Sequence, residues 1–149
     1  MHGAEKNIFT LEVNYDLSVE EAIKAGRYDH YDGNINGYNF PSSRKGKAEI
    51  EIILLHFNHR GDIGADEVFR EMEKQGLRAA ELPELLAFGA KYNKVQCKFP
   101  VAALGSVWEN IRRHDVAVLY GKPFGARHLE RGCLESSWYP FFRFAAIRK

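Results

Sequence analysis

Cysteine is scarce in this chain, with only Cys97 and Cys133 among 149 residues. Two cysteines exclude a disulfide scaffold, and neither belongs to a Cys-x-x-Cys pair, so neither reads as a zinc or dithiol redox site. Two free thiols are expected. No run of about 18 apolar residues occurs, so no membrane-spanning helix is expected. The first residues, Met-His-Gly-Ala-Glu-Lys-Asn, lack the apolar core of a secretory signal. These absences lead to the expectation of a soluble, cytoplasmic protein. Nucleophile elbows of the Gly-x-Ser-x-Gly type are missing as well. Gly121-Lys-Pro-Phe-Gly125 is no phosphate loop, because the lysine of such a loop follows the second glycine and opens a helix. No repeat, linker or low-complexity tract divides the chain, so a single domain over residues 1–149 is expected.

What is present suits a packed globule: 45% hydrophobic and 13% aromatic residues. A net charge of +1 hides an asymmetry. Residues 1–90 carry 10 Lys and Arg against 16 Asp and Glu, whereas residues 91–149 carry 11 against 4. The two halves either pack together and cancel, or the second presents a basic face to an anionic partner. The basic residues are scattered rather than gathered into a stripe, which does not indicate nucleic acid.

Residues 8–15 alternate, with Phe9, Leu11, Val13 and Tyr15 on one face, as in a half-buried strand. Ser18-Val-Glu-Glu21 is a capping box opening a two-turn helix that Gly26 is placed to end. Residues 28–47 are rich in turn-formers and predict a long loop, a length often tied to function. Tyr28, Tyr31, Tyr38 and Phe40 are its candidates for exposed aromatics. A strand is expected over Ala48–Phe57, entering the middle of a sheet. Two amphipathic helices follow, near residues 66–75 and 82–92, joined through Gly76 by a tight turn. Short strands are expected at Val101–Leu104 and Val116–Tyr120, with a last one over Trp138–Ile147 interrupted by Pro140.

The stretch Asp66-Glu-Val-Phe-Arg-Glu-Met-Glu-Lys-Gln-Gly-Leu-Arg-Ala-Ala-Glu-Leu-Pro-Glu-Leu-Leu86 resembles the two-helix segment of C-type-lectin-like domains. Arg131-Gly132-Cys133, Trp138 and Arg143-Phe-Ala-Ala-Ile-Arg148 are similar to the close of the formylglycine-generating branch. The chain also resembles bacterial single-domain proteins of uncharacterised function with an Ala-Leu-Gly-Ser motif (here 103–106) and the same ending. The resemblance, over about residues 64–148, implies a single α+β domain, C-type-lectin-like, with two main helices on a short-stranded, mostly antiparallel sheet. The calcium motifs of the lectins and the close cysteine pair that holds copper in the enzymes are both missing, so scaffold rather than activity carries over.

Chemistry-bearing clusters are few. His56-Phe-Asn-His59-Arg-Gly-Asp62 is the densest, but His56 and His59 on an extended strand point to opposite faces, so a joint site needs a bend. His114-Asp115 diverge for the same reason. The late aromatics are mostly core candidates, while Trp and Tyr make good binding anchors. The expected function is a non-catalytic binding or interaction module for a protein or polar small molecule, with Trp108, Tyr120, Arg127 and Trp138 as ligand-binding residues. No catalytic residue, metal or cofactor is indicated. The alternative is a small enzyme built on His56, His59 and Asp62.

Overall fold

A computed structural model describes residues 7–57 and 61–149. In chain order it contains β1 (Ile8–Asn14), α1 (Val19–Gly26), β2 (His30–Tyr31), β3 (Lys47–His56), α2 (Ala65–Lys74), β4 (Leu77–Ala79), α3 (Leu82–Lys91), a 3-10 turn (Val95–Cys97), β5 (Val101–Glu109), β6 (His114–Gly121), β7 (Arg127–Cys133) and β8 (Arg143–Arg148). The strands form one eight-stranded sheet in the order β1-β3-β8-β5-β6-β7-β2, with β4 also pairing β8. Pairing is mostly antiparallel, with β5–β8 and β2–β7 parallel. The α+β class and the mostly antiparallel sheet agree with the sequence.

Period-2 patterning divides the side chains between two cores. On one face, Phe9, Leu11 and Val13 of β1 pack with Leu82, Leu85 and Phe88 of α3 and Val19 and Ile23 of α1. On the other, Val68 and Met72 of α2 pack with Val116, Val118, Phe144 and Trp138. The adjacent residues Ala145 and Ala146 of β8 serve opposite cores, as neighbours on a central strand must. Each large side chain fully buried this way contributes roughly 1.5–3 kcal/mol.

Beside the two main helices α2 and α3 stands the short helix α1 that the capping box predicts, and it lies directly against α3. Its capping box is present: Ser18 Oγ accepts from Glu21 N at 3.0 Å and Glu21 Oε1 from Ser18 N at 2.8 Å. Gly26 does not supply the left-handed residue that ends the helix; Arg27 does, at φ 53°. Gly26 stays helical, and a Cβ there would lie 2.3 Å from the Tyr28 ring.

Other expectations shift. The tight turn after Gly76 is strand β4. β5 runs on to Glu109, past a register shift between Ala103 and Trp108. The last strand starts only at Arg143, since Phe142 N turns back to Tyr139 O around Pro140, which has no N–H to give a ladder. Some of the charge asymmetry is met across the two halves, by Arg131–Asp32 and by the exposed pairs Lys149–Glu73 and Arg148–Glu51.

The Ala-Leu-Gly-Ser motif has a structural account. Gly105 N donates to Ala80 O at 2.8 Å, and Ser106 Oγ accepts from Leu82 N at 2.7 Å, satisfying an orphan donor at the start of α3. A Cβ on Gly105 would stand 2.6 Å from both Ala79 O and Ala80 O, which are backbone atoms and cannot swing away. Gly105→Ala is therefore expected to lower the unfolding free energy by about 2–3 kcal/mol in urea titrations. Gly33→Ala, with nothing within 4 Å of the new Cβ, should change it by less than about 1 kcal/mol.

Candidate functional site

The four residues singled out in the sequence do not share one groove. Trp138 is 3% exposed and packs edge-on against Phe142 and Phe144 in the α2-side core. Trp108 packs against the opposite core, half-buried beneath the Arg131 guanidinium at 5.4 Å. The sheet thus separates the two tryptophans. Tyr120 is 36% exposed, with the His128 ring centroid 5.9 Å from its own and the Lys122 ammonium over it at 5.2 Å. His128 lies in turn against His30, across the β7–β2 pair.

Arg127 is occupied by the fold. Its Nη1 donates to Gly26 O at 2.6 Å and to Arg27 O at 3.4 Å, and its Nη2 to Gly89 O at 2.6 Å. One cation thus satisfies carbonyls at the C-terminal ends of both α1 and α3, where the helix dipoles are negative. The guanidinium also lies 4.6 Å over the Tyr28 ring. Tyr28 fits there because Gly26 and Gly89 lack side chains; a Cβ on Gly89 would sit 2.3 Å from its hydroxyl. Burial pushes the Tyr28 phenol up to about 12, although the adjacent cation opposes the rise.

This arrangement explains the long loop. Asp29 N donates to Arg127 O, Asp29 Oδ2 accepts from Arg127 N, and Asp32 N donates to Leu129 O, so the loop runs beside β7 as the short strand β2. Arg131 is a second clamp, bonding Asp32 through Nε at 2.7 Å and Asp115 through Nη1 at 2.9 Å. Asp115 is fully buried and also accepts from Arg113 at 2.5 Å and Asn110 at 2.8 Å. Burial works against the Asp32 carboxylate, but the Arg131 and Asn34 bonds outweigh it and hold its pKa low. Ile35 and Phe40, 1% and 2% exposed, anchor the loop in the core. Phe40 is therefore no exposed aromatic, and Tyr28 is half-buried; Tyr31 and Tyr38 are exposed at 59% and 93%.

Between α1 and this clamped loop opens a cleft of about 540 Å³. Ile23 and Ile35 are its buried apolar parts, Tyr28 and Tyr31 supply rings, and Lys24 and Arg27 bring cations. Neither cation forms an ion pair with a carboxylate among the described residues. Glu20 lies on the same rim, where Gly37 N donates to it at 3.1 Å and keeps its carboxyl below the ordinary range. Tyr31 also borders a shallower hollow with His30, Asp32 and Arg131. The sequence flagged the loop and its tyrosines but missed Lys24 and Arg27. Only the three-dimensional return of the loop onto α1 brings them together.

Two other clusters have a catalytic look and a structural role. Glu84 is fully buried at the start of α3, gripped by Arg78 through bonds of 3.0 and 2.6 Å, by Tyr15 Oη at 2.5 Å and by Glu81 N at 2.8 Å. Burial would raise its pKa, but the Arg78, Glu81 and Tyr15 bonds together hold it below the usual carboxylate range. Burial, and then the Glu84 carboxylate, push the Tyr15 phenol up to about 12. All four hydrogen bonds come from protein groups, so the carboxylate is spent. His114 turns away from Asp115 and pairs with Glu135, which it brings down to about 2.

His56 Nε2 lies 3.0 Å from Pro140 O, Asp62 is exposed, and His59 falls outside the described residues. No group of three or more His, Cys, Asp and Glu side chains able to hold a metal occurs among the described residues. Cys97 and Cys133 are both free thiols.

No family model matches the chain, and no curated protein or solved structure matches it significantly. The C-type-lectin-like resemblance thus rests on the sequence motifs alone.

Two stability measurements test this reading. Arg127→Ala strands the Gly26 and Gly89 carbonyls and should lower the unfolding free energy by about 2–4 kcal/mol, with faster amide exchange across residues 28–40. For Glu84, a pKa held down in the folded state adds stability above the unfolded value, and this is lost as pH falls through the folded one. The advantage of the native chain over Glu84→Gln should be full above about pH 5 and shrink progressively below about pH 4. A pH-independent gap in urea titrations would contradict the assignment.

Proposed function

We propose that this chain is a non-catalytic binding module whose ligand is a small planar molecule carrying an anionic group, held in the cleft between α1 and the 28–40 loop. The observation that carries the reading is the meeting of two cations, Lys24 and Arg27, that have no ion pair among the described residues, with two tyrosine rings over an apolar floor in one cleft of about 540 Å³. Small-molecule sites are concave, largely apolar and provided with a few polar groups that fix orientation. A loop pinned by two arginines adds support, because a site held rigid before binding loses less entropy on binding. Arg127 belongs to this reading as the group that holds the walls, not as a contact. Trp108 acts in the same way, as the platform under Arg131.

Ligand-observed NMR with adenosine monophosphate and 4-hydroxybenzoate tests the reading directly. Both probes should bind weakly, and Tyr31→Ala and Arg27→Glu should each reduce their affinity at least tenfold without moving the thermal midpoint by more than about 2 °C. A chain that binds neither probe, or binds both equally well after the two substitutions, does not use this cleft.

A further inference from the structure

α3 has no charged outward face before its last turn. Its outward positions Pro83, Ala87 and Ala90 are only partly buried and all apolar, and its charged residues are Glu84, fully buried, and Lys91 in the last turn. A helix apolar all round normally lies inside a protein. Here the outward stripe borders a second hollow of about 340 Å³, on the other side of α1 from the cleft described above. Val13, Val19 and Leu86 are its most buried residues; Ala22 and Ala25 of α1 stand across from Ala87 and Ala90 of α3. Leu17, 42% exposed, lies near the start of α1.

We propose that this groove binds the aliphatic chain of a small amphiphile, with its polar head in solvent near Lys91. This site is separate from the planar-anion cleft and does not depend on it. Three observations argue for this occupant. First, several polar groups along the groove are already engaged: Ser18 Oγ accepts from Glu21 N, Asn14 Oδ1 from Asp16 N and Ser42 Oγ from Arg44 N. What enters must need few hydrogen bonds, which describes a hydrocarbon. Second, the volume equals roughly eleven water-sized shares, enough for a chain of about eight to ten carbons and too little for a helix. Third, the apolar surface is limited to four alanines, Pro83, Leu17 and the floor, with exposed Glu12 and Lys91 on its rim. A stable protein interface needs about 800 Å² per partner, and this rim does not supply it. Lys91 Nζ donates to a neutral backbone oxygen, Thr10 O at 3.2 Å, and no carboxylate among the described residues pairs with it.

The test is calorimetric titration of the full chain with hexanoate, octanoate and decanoate below their micellar concentrations. Affinity should rise about fourfold for each added methylene up to octanoate or decanoate, the increment for transferring one methylene out of water. Ala87→Leu, which fills the groove, and Ala25→Glu, which charges its rim without entering the core, should each weaken decanoate binding at least tenfold. Arg27→Glu, in the other cleft, should leave it unchanged, which separates this proposal from the planar-anion reading. Absence of decanoate binding, an affinity independent of chain length, or binding untouched by both groove variants would overturn the proposal. So would a dimer in sedimentation equilibrium that Ala25→Glu dissociates, since the groove would then be an interface between copies of the chain.

Discussion

The placement of α1 depends on one guanidinium. Arg127 reaches from β7 to carbonyls in the last turns of α1 and α3 and covers the ring of Tyr28. Each contact alone is modest, because a hydrogen bond exchanged with water contributes about 1 kcal/mol. Their combination sets geometry. A planar fork with fixed donors accepts carbonyls only along its own directions, so the two helix ends must meet where it lies. Gly26 and Gly89 then become obligatory, since the Tyr28 ring occupies the space their side chains would fill. With its C-terminal end fixed in this way and its flank on α3, α1 keeps two sides that nothing covers fully. The planar-anion cleft and the aliphatic groove both lie along it.

β7 provides a second clamp with the same logic. Arg127, Leu129 and Arg131 point to one face, and each arginine lies against an aromatic ring, Tyr28 or Trp108. Each also grips a residue of α1 or the following loop: the Gly26 carbonyl in one case and the Asp32 carboxylate in the other. Asp115 anchors Arg131 from below and is itself satisfied by Arg113 and Asn110. A buried carboxylate with this many donors adds little net stability compared with an apolar residue of equal volume. What it adds is a requirement for one arrangement, because any other leaves a charge unpaired in the interior.

These clamps also explain which parts of the fold the sequence revealed. β1 and α1 were legible because their signals are local, an alternation and a capping box. α2 and α3 were legible because their buried stripes follow helical spacing. β7 was not, since Arg-His-Leu-Glu-Arg-Gly-Cys shows arginines where an alternating strand would show Val or Ile. Their aliphatic stems and stacked guanidinium planes fill the place of apolar side chains, and no hydropathy pattern records that. Trp138 misled for a related reason: its neighbours Tyr139 and Phe141 are exposed at 55% and 54%, while Trp138 itself bridges to Ile63 and turns into the core. The candidate site was half legible. The loop's length and tyrosines marked it, but its cations sit on α1 and its clamps nearly a hundred residues later.

A loop of this length would ordinarily be a weak place to build a binding surface, because an unstructured segment must be ordered when the ligand arrives. This one is ordered beforehand. Ile35 and Phe40 are buried, Asp32, Asn34, Asn36 and Asn39 bond within the loop, and β2 joins it to the sheet. Only Tyr31 and Tyr38 project substantially as large rings. The polar composition that reads as flexibility in the sequence is used in the structure to satisfy the loop's own backbone. The cost of ordering falls on folding rather than on recognition, and the walls of the cleft are in place before any ligand meets them.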